Sequence, residues 1–299
     1  MQETRPFSLL LILLSFFLWG ITPIYFKWMS HVSAVEIVIH RIIWSAVVLW
    51  VLVEIAGLRS VFIQVCKDKA LRNRLLLTSI LITLNWLTFV YAVLSNQTLE
   101  ASLGYYINPL VNIALGGVFL QERLTRMQWL AVLLASVGVL AEIWTVGKLS
   151  WIACVLALSF AVYGLARKKL DIHPTVALAA ETSWMFPFAL VGLLYGVLMG
   201  QFVFLDNVTA FTLPLMAAGV VTVAPLLLYV SGLPGVTLTI AGFAQYIAPS
   251  MVFILAITWF DETISSQRLY TFGLIWLALV LVTLEGIYKS RKSFAGREK

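Results

Sequence analysis

The chain has 299 residues, of which 61% are hydrophobic and 11% are charged, and its formal net charge is +6. Soluble domains carry about 25% charged residues, so this composition excludes an ordinary soluble protein and predicts an integral membrane protein. A transmembrane helix needs about 20 predominantly apolar residues. Ten such segments follow one another, near residues 7–29, 34–55, 75–94, 99–120, 126–145, 149–166, 175–198, 208–230, 236–259 and 269–288. The predicted fold class is therefore an all-α membrane protein of ten transmembrane helices, with loops too short for a soluble domain.

The basic residues predict how these helices cross the membrane. The first segment is longer than the roughly 7 to 15 apolar residues of a signal peptide, so we expect it to be retained as a helix. Most of the 20 Lys and Arg residues fall in loop 56–74, after the fourth and sixth segments, or at the two ends of the chain. The positive-inside rule then places both termini in the cytoplasm. Contact with anionic lipid accounts for these charges, and no nucleic-acid partner is expected.

Two stretches of the chain repeat each other without a gap. Tyr106, Pro109 and Glu122 of "GYYINPLVNIALGGVFLQE" correspond to Tyr246, Pro249 and Glu262 of "AQYIAPSMVFILAITWFDE". Each repeat contains five predicted spans, so the second enters the membrane from the opposite face, as in many secondary transporters. The sequence predicts one five-helix unit over 7–145, an inverted second unit over 149–288, and a basic cytoplasmic tail over 289–299.

Motifs at the ends of both units are similar to those of a known family. "QERLTRMQWLAVLLASVGV" from Gln121 to Val139 and "DETISSQRLYTFGLIWLALVL" from Asp261 to Leu281 resemble the end of an EamA domain. Almost the whole chain, including "SFFLWGITPIYFK", resembles the RarD subgroup of the drug/metabolite transporter superfamily, often labelled chloramphenicol-sensitive proteins. The resemblance implies a multi-pass permease of the bacterial inner membrane that works as an exporter.

Polar residues within the apolar segments are the candidate substrate site. Tyr105, Asn108 and Asn112 recur at helical spacing, and such a stripe is expected to face other helices or a water-filled cavity rather than lipid. The other candidates of this kind are Asn85, Trp86, Tyr229, Gln245 and Tyr246. Each of them either contacts substrate or only hydrogen-bonds a neighbouring helix. Pro109 and Pro249 act either as hinges or as tolerated kinks, because proline removes a backbone donor and bends a helix.

Charged residues inside the spans are the second group of candidates. Arg41 and Glu181 hold equivalent positions in the two units, and an unpaired charge there costs about 2.5 to 3.5 kcal/mol. One hypothesis is that Arg41 binds an anionic group of the substrate while Glu181 binds an ammonium group or a proton. The alternative is that both only stabilise the bundle. Glu122 and Glu262 fall at predicted helix ends, and Thr125 with Gln128 forms a capping-box pattern, so a structural role is expected there.

The function classes that remain are those of a membrane permease. No paired carboxylates, metal-binding cluster or phosphate-binding loop are present, so we expect no enzyme, no cofactor and no metal. We therefore predict a secondary transporter that exports small metabolites or amphipathic, drug-like compounds by alternating access around a central cavity. A channel or lipid scramblase is the alternative. The expected partners are a small-molecule substrate and membrane lipids, and the spacing of Gly192, Gly196 and Gly200 is compatible with a homodimer.

Overall fold

The computed structural model describes residues 5–95, 97–146 and 150–259, and residues 269–270, 273–274, 276–278, 280–281 and 284–285 of the last segment. Within these ranges the chain is helical and contains no strand. The α-helices are α1 Pro6–Trp28, α2 Ala34–Ile55, α3 Arg59–Lys67, α4 Lys69–Leu94, α5 Thr98–Leu120, α6 Arg126–Val146, α7 Trp151–Lys168, α8 Pro174–Leu198, α9 Leu213–Gly232, α10 Leu238–Gln245 and α11 Ile247–Thr258. A π-turn, Val208–Thr212, precedes α9, and a 3-10 turn, Leu233–Gly235, follows it.

Eight of the helical stretches in the described part are long and apolar enough to cross a membrane, and α6 contributes a shorter apolar stretch. The described residues of the last segment, between 269 and 285, are also helical. The count of ten spans stays a prediction, because part of that segment lies outside the described residues, as does Glu262. Many large apolar side chains point outward, such as Phe188, Val191 and Leu198, as expected of a surface covered by lipid. The protein is an integral membrane protein with several spans.

Polar side chains fix where the helices begin. Ser33 accepts a hydrogen bond from the backbone N–H of Glu36 at the start of α2, and Ser150 and Thr237 do the same for α7 and α10. Asp68 caps α4 by accepting from two backbone N–H groups. These caps satisfy donors that would otherwise be unpaired at a helix N-terminus. The segment boundaries therefore follow local sequence as well as hydropathy.

The structure differs from the sequence-based segments at two places. Loop 56–74 contains the short helix α3, because Phe62, Val65 and Cys66 pack with Leu75 and Val176 in a small apolar cluster. The predicted span 236–259 is interrupted at Tyr246, where α10 ends and α11 begins. Helix α4 begins within loop 56–74, at Lys69 and not at residue 75, and the other described spans begin and end within a few residues of the predicted bounds.

The contacts between helices have a reciprocal pattern. Helix α2 packs on α8, α1 packs on α9, and α4 packs on α7, while α5 packs on both α7 and α10. Small residues permit the closest approaches. A Cβ at Gly219 of α9 would lie 2.5 Å from the carbonyl carbon of Trp44 on α2, and one at Gly104 of α5 would lie 2.9 Å from the carbonyl oxygen of Ala153 on α7. The bundle is therefore held together by close backbone packing.

Glycines of α8 also serve packing within the chain. A Cβ at Gly192 would lie 2.9 Å from Cδ1 of Ile39, and one at Gly196 would overlap the ring of Phe202. Gly200 follows the helix with a positive φ of 64°, which glycine adopts without strain. The spacing of these glycines is explained by intramolecular contacts, and the homodimer stays a prediction.

The capping box predicted for the start of α6 is confirmed. The backbone N–H of Thr125 donates to Oε1 of Gln128 at 3.0 Å, and the backbone N–H of Gln128 donates to Oγ1 of Thr125 at 3.2 Å. Glu122 lies just before this box and accepts from the backbone N–H groups of Leu238 and Thr239 at 2.7 and 3.0 Å. Its carboxylate thus caps the N-terminus of α10, which agrees with the structural role expected for it.

Candidate functional site

A cavity lies between α1, α2, α4, α5, α7 and the α10–α11 segment. Helices of both predicted units thus contribute to its wall. Six residues that the sequence singled out line it, namely Arg41, Asn85, Trp86, Tyr105, Gln245 and Pro249. The other lining residues are Phe16, Trp19, Thr22, Phe26, Phe89, Phe160, Ala248 and Val252.

Arg41 is the charged group of the cavity wall. Its residue is 5% exposed, and its Nε donates to Oγ1 of Thr222 on α9 at 3.0 Å. The guanidinium carbon lies 4.7 Å from the ring centre of Trp86 and 5.2 Å from that of Phe26. These distances allow cation–π attraction, which is worth about 0.5 to 2 kcal/mol. Arg41 is thus held in one orientation by a hydroxyl group and two aromatic faces.

Aromatic rings form most of the apolar wall. Trp19 lies 5.4 Å from Phe16 and 5.5 Å from Phe160, measured between ring centres. Phe89 and Tyr105 pair across α4 and α5 at 5.5 Å. Tyr229 is fully buried behind this wall and packs on Phe16, Trp19 and Phe160 without lining the cavity. Edge-to-face and tilted pairs of this kind keep aromatic side chains in fixed positions.

A line of amide side chains connects α5 with the cavity. Asn108 donates to the carbonyl oxygen of Ala157 on α7, and Asn112 donates to Oδ1 of Asn108 at 2.8 Å. Asn112 also donates to Oε1 of Gln245 at 3.2 Å, and Gln245 is part of the cavity wall. Asn108 and Asn112 are almost fully buried and lie outside the lining. They join helices, and in doing so they position Gln245.

Glu181 belongs to a second polar cluster. It lines a separate, smaller cavity, and Trp86 borders both cavities. Oε1 of Glu181 lies 3.5 Å from Nη1 of Arg167, and both side chains are 2% exposed. The carboxylate also accepts from Oγ1 of Thr78 at 2.6 Å and from the hydroxyl group of Tyr163 at 3.3 Å. Glu181 therefore has its charge balanced within the protein, whereas Arg41 is placed against the larger cavity.

Comparison with known proteins identifies the family. The model of the EamA-like transporter family matches residues 6–142. The chain is 43% identical over 297 residues to Protein RarD of Salmonella typhimurium, covering 97% of this chain and 99% of that protein. The chain belongs to the EamA-like transporter family. It is also 39% identical to an uncharacterized transporter of Vibrio cholerae, over 96% of this chain and 95% of the relative.

A solved crystal structure shares the fold of this EamA-family chain. The two have a TM-score of 0.69 at 15% sequence identity, and the match covers 94% of this chain and 98% of the other. That likeness concerns the fold alone. The match to the EamA family and the RarD and transporter relatives identify this chain as a membrane permease and not an enzyme.

The equivalent tyrosines of this RarD-type chain meet between α5 and the α10–α11 segment. The rings of Tyr106 and Tyr246 stack with centres 6.0 Å apart, and the hydroxyl group of Tyr246 donates to the carbonyl oxygen of Tyr106 at 3.3 Å. Pro109 lies within the continuous helix α5, whereas Pro249 lies three residues after the break at Tyr246. A Cβ at Gly242 would lie 3.2 Å from the carbonyl oxygen of Pro109.

Two important partners in this EamA-family site were not found by sequence reasoning. Arg167 was grouped with the basic residues after the sixth segment, and Thr222 was not singled out. Thr222 contacts Arg41 across a separation of 181 residues in the chain, and Arg167 of α7 contacts Glu181 of α8. An arginine followed directly by two lysines looks like a solvated cluster, so no local signal marked Arg167 as buried.

Proposed function

We propose that the protein is a secondary transporter that exports small metabolites or amphipathic, drug-like compounds by alternating access around the cavity that Arg41 lines. The observation that carries the proposal is that helices from both predicted units, 7–145 and 149–288, enclose a cavity with aromatic walls and a buried arginine. Arg41, Asn85, Trp86, Tyr105 and Gln245 would contact the substrate. Asn108, Asn112 and Tyr246 would hold the surrounding helices in place, and Tyr229 would support the aromatic wall.

Reciprocal packing supports an inverted repeat. The first predicted span, which is α1, packs on the eighth, which is α9. In the same way the third span, α4, packs on the sixth, α7. The second and seventh spans pack on each other, and the equivalent tyrosines Tyr106 and Tyr246 stack. Such pairings are expected when a pseudo-two-fold axis relates two five-helix units. Each unit could then adopt the conformation of the other, which is the structural basis of alternating access.

The proposed orientation has both termini in the cytoplasm of a bacterium and the helices in its inner membrane. Under this orientation the loop between α9 and α10 is cytoplasmic. Three neighbours hold it: Glu122 caps α10, Lys168 donates to the carbonyl oxygens of Leu233 and Val236, and the backbone N–H of Arg5 donates to Gly235. Most cavity residues then lie in the middle and outer parts of their helices. This conformation would therefore be the one closed to the cytoplasm, with Pro109 and Pro249 as hinges for the change to the other.

The alternative functions are a channel and a lipid scramblase. A scramblase needs a polar groove that is open to lipid tails, because lipid headgroups must cross along it. In the described part of the chain the amides of Asn85, Asn108, Asn112 and Gln245 are at most 4% exposed. Their enclosure favours a site for a soluble compound over a groove for lipid headgroups.

The test is a comparison of metabolites in the medium and cytoplasm of cells that produce the wild type, Arg41→Ala, Arg59→Ala or no protein, at matched membrane levels. Arg59 is the matched control because its side chain is 72% exposed on α3. We expect at least one compound to accumulate outside cells with the wild type and Arg59→Ala, and to remain inside with Arg41→Ala. Unchanged pools would contradict export, and a fluorescent-lipid assay in proteoliposomes would then test the scramblase.

A further inference from the structure

The two buried arginines in the described part of the chain differ in one respect. Arg167 has the carboxylate of Glu181 at 3.5 Å. Arg41 has no Asp or Glu within ion-pair distance among the described residues, where the ion pairs are Arg59–Glu54 and Arg167–Glu181. The ionisable groups that interact electrostatically with it are Tyr25 and Tyr105, whose phenols carry no charge near neutral pH. Arg41 therefore keeps an unbalanced positive charge at the wall of the cavity.

Arg41 also keeps an unused hydrogen-bond donor. Its Nη1 atom is buried and has no hydrogen-bond partner within the described structure, while its Nε is occupied by Thr222. Leaving a buried polar group unsatisfied is costly, and a buried charge without a partner is more costly still. Such a group is stabilised where a ligand or a water molecule accepts the missing hydrogen bond. A carboxylate matches a guanidinium in both charge and shape, because the two planar groups can exchange paired hydrogen bonds.

The rest of the wall limits what can be attached to that carboxylate. Among the described residues the lining contains no Asp or Glu, so an ammonium group on the substrate would find no acidic partner in that part of the wall. Glu181 lines the other cavity and is already paired with Arg167. The remaining wall is mostly aromatic and matches a flat apolar body. Arg41 and Glu181 therefore line different cavities, and a substrate bound at Arg41 does not meet the carboxylate of Glu181.

We infer that the substrate is an organic anion, with a carboxylate bound by Arg41 and an apolar, preferably aromatic body against the rings of the cavity, and without an ammonium group. This inference rests on the proposed transport function and names the substrate class of the same site. It narrows the sequence-based hypothesis, in which Glu181 would bind an ammonium group. Asn85 and Gln245 would contact polar substituents of the bound anion from the remaining part of the wall.

The test uses four probes of nearly equal size: 3-phenylpropionate, 3-phenylpropanamide, 3-phenylpropylamine and phenylalanine. Binding to the purified full-length protein in detergent is followed by tryptophan fluorescence, since Trp19 and Trp86 line the cavity. We expect 3-phenylpropionate to bind with saturation, and each of the other three to bind about 10- to 100-fold more weakly, the range expected for loss of a charged hydrogen bond or for an unpaired ammonium group. This comparison needs only the wild type.

Three variants assign the effect to Arg41. Arg41→Gln should lose the preference for the carboxylate over the amide, Arg41→Lys should keep part of it, and the exposed control Arg59→Gln should keep all of it. Equal binding of the amide or amine, or no binding of 3-phenylpropionate at millimolar concentration, would overturn the anion class. The cellular export experiment separates the two proposals. Export of neutral or cationic compounds alone would refute the anion class and leave transport standing, whereas unchanged pools would count against transport itself.

Discussion

Replacing Glu181 by Gln should strongly destabilise the protein. The Nη1 atom of Arg167 and Oε1 of Glu181 are 3.5 Å apart, and at an effective dielectric constant of about 20 this distance corresponds to an attraction of about 5 kcal/mol. Gln retains the volume and the acceptor for Thr78, but it leaves the arginine buried without an opposite charge. Breaking a buried pair in this way costs about 3 to 5 kcal/mol. We expect a loss of that size in the free energy of unfolding.

The assay is unfolding by sodium dodecyl sulfate in mixed micelles, followed by tryptophan fluorescence. Glu54→Gln is the matched control, because Glu54 pairs with Arg59 at 3.7 Å where both side chains are more than half exposed. An exposed pair is worth about 0 to 1 kcal/mol. The double variant Arg167→Met with Glu181→Leu should recover most of the stability, since it removes both buried charges. If Glu181→Gln costs no more than Glu54→Gln, the ion pair does not stabilise the bundle as described.

Three further substitutions test other parts of the structure. Glu122→Gln should lower the free energy of unfolding by about 1 kcal/mol through a weakened cap of α10, while the pH profile of transport stays unchanged; a shifted profile would indicate a proton relay. Gly219→Ala should cost about 1 to 3 kcal/mol in the same assay because the added methyl group meets the backbone of Trp44, whereas Gly117→Ala, which has room, should be nearly neutral. Tyr229→Phe removes a buried hydroxyl group that has no hydrogen-bond partner in the described part of the chain. It should raise the free energy of unfolding by about 1 to 3 kcal/mol and leave substrate affinity unchanged; a tenfold loss of affinity would place Tyr229 in direct contact with substrate.

Much of the fold could be predicted from the sequence because membrane helices are marked by long apolar stretches and short polar caps. The bounds of α2, α5, α6 and α8 differ from the predicted ones by a residue or so. The inverted repeat stays a prediction, which rests on equivalent residues such as Tyr106 and Tyr246 that keep the same spacing to the next proline. Helix α3 could not be predicted, because its apolar residues form a run too short for a span, between Arg59 and Lys67, and they find their partners on α4 and α8 only in the folded bundle.

The candidate site was predictable as a set of residue types but not as a geometry. Polar groups inside apolar spans identified Arg41, Asn85 and Gln245, which do line the cavity. Whether such a residue reaches the cavity depends on the rotation of its helix, which sequence does not fix. Asn108 therefore faces α7 instead of the cavity, although it shares a stripe with Tyr105.

Accessibility of the cavity from each side of the membrane tests the central claim of alternating access most directly. Ala248 lines the cavity, and Ala248→Cys in a background with Cys66→Ser and Cys154→Ala places one thiol there. Leu194→Cys is the control, because Leu194 is 55% exposed on the outer surface of α8, where lipid covers it. If access alternates, a charged, membrane-impermeant thiol reagent should modify Ala248→Cys both in intact spheroplasts and in inverted vesicles. The same reagent should leave Leu194→Cys unmodified in both. Modification of Ala248→Cys from one side only, or from neither, would contradict alternating access around this cavity.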